Sequence, residues 1–361
     1  MTATTRGRPR PGPAGSTSVP TSPRRSPHTR RRLVAATLLV AALLTMVVVH
    51  LSLGETWLPP SDVAASLLGQ GTSAGTDFLV RELRGPRVVG ALVVGAALGT
   101  SGAITQSLLR NPLASPDIIG VTAGASCLAV VALLAAGTVS FAPGVGSVGV
   151  PVLACAGGAI AGVLVVALAW RGGLDARRVV LVGLGVNAGL SALTSWLLLR
   201  ADLPDLTAAM TWLTGSLAAV DAGTLRPIGT SAVACLALAL LGSERLGLLH
   251  FGDVTVRSLG VNVAVSQLIQ AALAVVAASL ACAVAGPVAF VAFCAPQIAM
   301  VLFRTQGPPV AGGMLVGAAI MVGADIAARV AFPTPVPVGL VTAFCGAPVL
   351  LWLLTRLGRS A

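Results

Sequence analysis

Residues 84–126 read RGPRVVGALVVGAALGTSGAITQSLLRNPLASPDIIGVTAGAS, and this stretch decides how the rest of the chain is read. Two arginines, Arg84 and Arg87, open it, and an uncharged, largely apolar run follows over 88–109. A run of about 20 such residues is long enough to cross the hydrocarbon of a bilayer as a helix. Arg110 and Asn111-Pro112 then interrupt it, because proline cannot continue a helix, and a second apolar run starts at 118. The unit is span, short polar turn, span.

Working outward, the same unit recurs. Ten spans are expected at 33–53, 88–109, 118–136, 150–170, 179–200, 225–243, 263–285, 287–303, 309–326 and 336–355. Only 10% of residues are charged and 55% are hydrophobic, whereas soluble domains carry about 25% charged residues. A chain this poor in charge cannot cover a water-facing surface. The short alternating segments of a membrane β-barrel are absent, so the fold class is all-α, a polytopic membrane protein. Three connections are longer: a polar one over 54–87, a segment at 204–218 too short to cross, and a polar loop at 244–262.

The net charge of +11 comes largely from eight arginines in residues 1–32, interleaved with Pro, Ser, Thr and Gly. Such a stretch has too little apolar surface to fold and is expected to be a disordered basic cytoplasmic tail that attracts anionic lipid; no nucleic-acid role is expected. The apolar run 33–53 is too long for the core of a cleaved signal peptide. With the N-terminus inside, most of the 23 arginines fall in segments on the inner side, which satisfies the positive-inside bias and puts both termini in the cytoplasm.

Several residue types narrow the function. The six cysteines lie in apolar runs without CxxC pairs, so they read as small buried thiols, with no metal site and no cofactor expected. Glycines recur four apart (Gly95/Gly99, Gly120/Gly124, Gly158/Gly162, Gly185/Gly189, Gly313/Gly317), a spacing that lets membrane helices approach closely. Polar residues at membrane depth are few: Gln106, Asn187, Gln267, Gln270, Gln297 and Asp325. A mid-membrane charge costs at least about 2.5–3.5 kcal/mol, and Asp325 is expected to offset it through an i,i+4 pair with Arg329. An ion-driven carrier usually needs more intramembrane carboxylates than this. All 23 basic residues other than histidine are arginine; a Walker A loop needs a lysine at the nucleotide phosphates, so this chain cannot hydrolyse ATP by that route.

The block at 84–126 resembles the FecCD-type permease family, importers of ferric siderophores, haem or cobalamin. The resemblance lies in Arg-x-Pro-Arg, a Gly/Ala-rich helix ending in Gln, then Asn-Pro-Leu-Ala-x-Pro. Trp212–Leu217 (WLTGSL), Phe251–Val261 (FGDVTVRSLGV) and Val336–Leu354 agree with it in order, and the similarity covers about 33–357, the transmembrane permease domain. It implies the ten-helix permease fold of type II ABC importers, working as a homo- or heterodimer of permeases with two ATPase subunits and an extracytoplasmic siderophore-binding protein in the bacterial plasma membrane. It also implies a translocation gate at Asn111, Pro112 and Leu113, with Asp175 and Ala176 at a second constriction. Arg84, Arg87 and Arg329 would meet acidic residues of the binding protein, since a guanidinium fork accepts a carboxylate bidentately. Gly252, Asp253, Arg257, Leu259 and Gly260, within the coupling loop 244–262, would engage the ATPase. Apolar Leu246, Leu248, Leu249, Val254, Val256 and Leu259 in that loop suggest a docking surface.

Two departures matter. The first motif has Gly85 where leucine is usual before the proline, and Gln297 and Met300 replace the histidine and arginine of a common Pro-His-x-x-Arg. Ala-Pro-Gln together with Asn-Pro-Leu-Ala-Ser-Pro-Asp is similar to the ferric-enterobactin branch, so a catecholate siderophore is the expected cargo. Haem or cobalamin import and an ion-coupled secondary carrier are the alternatives.

Overall fold

Backbone polar groups in a chain this apolar can be satisfied only along their own segment, and helices account for the architecture; no strand occurs among the described residues. The computed structural model describes residues 27–54, 56–71, 73–136, 146–249, 253–258 and 260–357. The order is α1 (Pro27–Ser52), α2 (Pro60–Leu67), α3 (Ala74–Phe78), a π-helical turn (Leu79–Arg84), α4 (Gly85–Leu108), a 3-10 turn (Pro116–Ile119), α5 (Val121–Ala136), α6 (Gly146–Ala169) and α7 (Ala176–Leu199). There follow α8 (Leu203–Leu213), α9 (Ala222–Leu241), α10 (Ser243–Leu249), α11 (Asp253–Ser258), α12 (Val263–Ala285), α13 (Val291–Phe303), α14 (Val310–Val330) and α15 (Val338–Leu357).

An apolar helix stands at each of the ten expected spans. By length and composition seven suffice to cross a membrane, and the helical runs Val121–Ala135, Val291–Phe303 and Val338–Leu351 are shorter. Two boundaries move. The helix of the first span begins at Pro27, six residues before its apolar run. The longer polar connection expected over 54–87 is mostly helical: Ser73 caps α3 by accepting the Thr76 N–H, and a π turn carries the chain into α4 without a break. Serine at a helix N-cap is what starts α3 within this glycine-, serine- and threonine-rich stretch.

α4 is the centre of the bundle, packed against α14, α12, α13 and α9; α5 and α6 form a second pair, joined to the centre through α12. Lipid is as apolar as leucine, so close approach, not transfer from water, holds such a core. A Cβ added at Gly95 or Gly99 of α4 would drive into the carbonyl oxygens of Gly317 or Gly313 of α14. Around that contact Val94, Ala97 and Leu98 interlock with Ala277 and Ala281 of α12 and with Met321 and Val322 of α14.

Because successive long helices alternate in direction, the bundle has a first end, where α1 begins, and a second end, where α1 finishes. The first end carries the turns after α4, α6 and α13, together with α10 and α11. The second end carries α2, α3 and α8.

Candidate functional site

At the first end α4 closes with Arg110 in the left-handed region at φ 46° and with the Asn111 N–H donating to the Gln106 carbonyl at 3.1 Å. The Asn111 side chain then turns the chain, its Oδ1 accepting from the Leu113 N–H at 2.9 Å. Two buried glutamines hold this turn. Gln297 Nε2 of α13 donates to Gln106 Oε1 at 2.6 Å and to the Pro112 carbonyl at 3.4 Å, while Gln106 Nε2 donates to the Phe293 carbonyl at 3.1 Å. Leu113 packs against Phe293 and Cys294. Gln297, the departure from the family's histidine, is thus the donor that ties the expected gate to α13.

The same end holds α10 against α4. Arg110 Nη2 donates to the carbonyl of Leu249, the last residue of α10, at 2.9 Å. The polar loop expected at 244–262 holds two short helices, α10 and α11, and part of the expected docking surface is not free. Leu246, Leu249 and Val256 are buried against Ala103 and Ile104 of α4, because these apolar side chains find a closer partner in their own bundle. Arg257 and Gly260 remain exposed. Gly260, at φ 78° with nothing near its missing Cβ, closes α11 with its N–H on the Arg257 carbonyl at 3.0 Å. Asp253 starts α11; Gly252 and Leu259 lie outside the described residues. Asp175 is exposed and caps α7, its Oδ1 accepting from the Arg178 N–H at 3.0 Å. Ala176 shares an apolar cluster with Leu109, the residue that ends α4.

A groove of about 760 Å³ runs between α5, α7 and the starts of α13 and α15. Its lining includes Thr122, Ser126, Asn187, Ser191, Thr194 and Ser195, with Asp117 at one end and no arginine. Asn187 Nδ2 donates to the Asp117 carbonyl at 2.7 Å, and Thr122 Oγ1 donates to the Asp117 carboxylate. Burial pushes the Asp117 carboxyl up, against the pull of the Thr122 and Ser115 hydroxyls. The spacing 187, 191, 194/195 places these groups on one face of α7, a sequence signal that attention to Asn187 alone passes over. Both flanks are bare: Leu184 of α7 and Phe344 of α15 are exposed.

At the second end Arg84, Arg87 and Arg329 come together, but not as free docking groups. Arg84 is buried, donating from Nη1 to the Leu51 and Ser52 carbonyls at 2.7 and 3.1 Å and from Nη2 to the Thr56 carbonyl at 2.6 Å. Gly54 leaves the room this guanidinium occupies. Arg84 is therefore a strut on the end of α1. Arg87 holds Asp325 bidentately, Nε to Oδ2 at 2.9 Å and Nη2 to Oδ1 at 2.8 Å. His50 Nε2 lies 2.8 Å from Oδ2. The expected pair with Arg329 is present but longer, at 3.6 Å. Arg329 mainly donates to the Leu53 and His50 carbonyls, at 3.2 and 3.3 Å. His50, an unremarked residue at the end of an apolar run, is the partner that sequence reasoning missed.

Of the six cysteines, Cys127, Cys235, Cys282 and Cys294 are buried as expected, while Cys155 on α6 is half-buried and Cys345 on α15 is exposed. Four of the five glycine pairs meet other helices of this chain; Gly185 and Gly189 meet nothing within 4 Å.

Apolar helices, seven of them among the described residues long enough to cross a membrane, define a multi-pass membrane protein, with a hydroxyl-lined groove on one side of the bundle. The chain belongs to the FecCD transport family, whose model matches residues 40–356. It is 39% identical over 332 residues to the ferric enterobactin transport system permease protein FepG of Escherichia coli (strain K12), covering 92% of this chain and 98% of that one. It is 36% identical over 331 residues to the achromobactin transport system permease protein CbrC of Dickeya dadantii (strain 3937), covering 90% and 91%. A solved structure presented as a metal-chelate type ABC transporter in an inward-facing conformation superimposes with a TM-score of 0.77 at 26% identity, over 90% of this chain and 99% of that one. The chain is a permease subunit of an ABC transporter and not an enzyme; ATP hydrolysis is the work of separate subunits.

Proposed function

We propose that this permease imports a ferric siderophore of the catecholate type across the bacterial plasma membrane, through ten spans with both termini in the cytoplasm. The observation that carries the reading is the groove along α5 and α7, with its hydroxyl and amide lining and bare flanks. A second permease protomer, identical or different, laid over α7 and α15 would turn the groove into a tunnel. Scattered hydroxyls with no arginine hold an anionic chelate weakly, which favours passage over retention. The name of the 39% identical relative supports the catecholate choice. Haem or cobalamin would be the next cargo to test. An ion-coupled carrier is disfavoured, since Asp325 is already tied to Arg87 and His50.

In this reading Asn111, Pro112 and Leu113 form the cytoplasmic gate, and Asp175 and Ala176 a second constriction beside it. Asp253, Arg257 and Gly260, with Gly252 and Leu259, engage the ATPase dimer. Arg87 and Arg329, whose side chains keep 20% and 12% exposure, meet the loaded binding protein while Arg84 braces them from behind. The test is uptake of radiolabelled ferric enterobactin by an iron-starved strain lacking this permease. Restoring the gene restores uptake, and Asn111→Arg lowers it about tenfold or more with assembly intact, a steric and charge block of over 1.4 kcal/mol. Uptake independent of the gene, or normal uptake through Asn111→Arg, rejects the cargo or the gate respectively.

A further inference from the structure

The cluster around Asp325, at the second end of the bundle, holds more positive charge than that one carboxylate neutralises. Asp325 is fully buried and faces two guanidiniums and an imidazole: Arg87 at 2.8 and 2.9 Å, His50 at 2.8 Å and Arg329 at 3.6 Å. One negative charge is thus set against at least two fixed positive ones. The exposure is unequal. Arg87 keeps 20% of its side chain accessible while Asp325 keeps none, so of this pair only the arginine touches the outside. Arginine has five N–H donors, and the bonds of Arg87 to Asp325 use Nε and Nη2.

We propose that Asp325 is an internal competitor for the docking arginine: it occupies the Arg87 fork in the undocked permease, and a carboxylate of the binding protein takes the fork over. The inference rests on the docking reading of Arg87 given above and adds its regulation. The exchange replaces one bidentate arginine–carboxylate pair by another of the same kind, so little bonding is lost. Stripping a buried carboxylate of all partners would be prohibitive; here His50 and Arg329 remain beside Asp325 and keep it compensated. That gives the buried histidine a purpose that a simple ion pair would not need.

The exchange also has a mechanical consequence. Arg329, on the same helix as Asp325, holds the Leu53 and His50 carbonyls, and Arg84 holds those of Leu51 and Ser52. Asp325 links α14 to α4 through Arg87 and to α1 through His50. Freed from Arg87, it gives up its tie to α4 at this end, while Arg84 still holds the end of α1 and the glycine seam still holds α14 against α4. Docking would thereby loosen the outer end of the bundle.

The test measures affinity between the permease–ATPase complex in nanodiscs and the transport system's own siderophore-binding protein loaded with ferric enterobactin. Arg87→Gln weakens binding about tenfold if Arg87 docks at all. Asp325→Asn tightens it about threefold or more, because the competing charge is gone. A merely structural Asp325 would change affinity in the opposite direction or not at all. Unchanged or weaker binding by Asp325→Asn, with Arg87→Gln weakened, overturns the competitor while sparing the docking reading; no effect of Arg87→Gln overturns both. If Asp325→Asn does not assemble, hydrogen exchange on the unmodified complex decides. Amides of 51–53 and 326–330 exchange faster on docking if the swap occurs, and equal or slower exchange there refutes it.

Discussion

The α4–α14 seam and the exposed face of α7 use the same pattern, two glycines four residues apart, and do opposite things with it. At Gly95 and Gly99 the missing side chains let the carbonyls of Gly317 and Gly313 press against α4. At Gly185 and Gly189 there is nothing within 4 Å. The seam has consumed its small residues inside the chain, whereas α7 still presents them. Spacing alone therefore says that a helix can be approached closely and leaves open by what. The polar groups follow the same division. Near the seam, Gln106 and Gln297 are buried and bonded to each other, while Ser191 and Ser195 of α7 face the groove.

The sharpest way to break the comparison is to fill the seam. Gly99→Leu puts a side chain where the Gly313 carbonyl already sits, and neither backbone can withdraw without unpacking α4 from α14. Overpacking costs about 1–3 kcal/mol where side chains can adjust, and more is expected here because the obstacle is backbone. Folded monomer should be lost, as read by yield and monodispersity in detergent; a well-folded Gly99→Leu would mean that the seam is looser than drawn.

A smaller effect is expected one step from the seam, at Gln297. Gln297→Leu leaves Gln106 Oε1 and the Pro112 carbonyl without that donor, at a cost of about 1–3 kcal/mol for a buried acceptor. Gln297→His keeps an N–H donor and should recover most of the loss. Thermal unfolding of the two variants in the same detergent separates them. If both unfold alike, the amide contact contributes nothing and the Asn111-Pro112 turn is held by Leu113 packing alone.

How much of this was legible in the sequence differs between the two regions for a physical reason. Helix positions were readable because the bilayer fixes span length and composition, and the 88–109 run lies wholly within the continuous helical run Ala74–Leu108 but for its last residue. Pairings across the bundle were not. His50 and Asp325 are 275 positions apart, while a one-dimensional reading finds only neighbours such as Arg329, one turn away. The Asn111-Pro112-Leu113 motif was recognisable by its residues, yet Gln297, which bonds to its turn, looked like a mere departure until Gln106 stood opposite it. The groove was half legible: Asn187 stood out, but the stripe at 191, 194 and 195 needed the bare surroundings of α7 to give it meaning.

The smallest effect on the fold, and the one that sharpens the comparison most, is expected on α7. Gly185→Leu adds a side chain into open space, so the permease chain alone should unfold within about 0.5 kcal/mol of the parent, as surface substitutions do. The pairing of two permeases is another matter if α7 is part of their contact. Membrane helices associate by close packing, with no hydrophobic drive to compensate a lost fit, and a leucine between the backbones holds them apart. Pairing should then weaken about tenfold, or roughly 1.4 kcal/mol, as measured by native mass spectrometry across a dilution series. Normal pairing by Gly185→Leu would place the glycines toward lipid, and the tunnel would have to be closed by α15 and its exposed Phe344 instead.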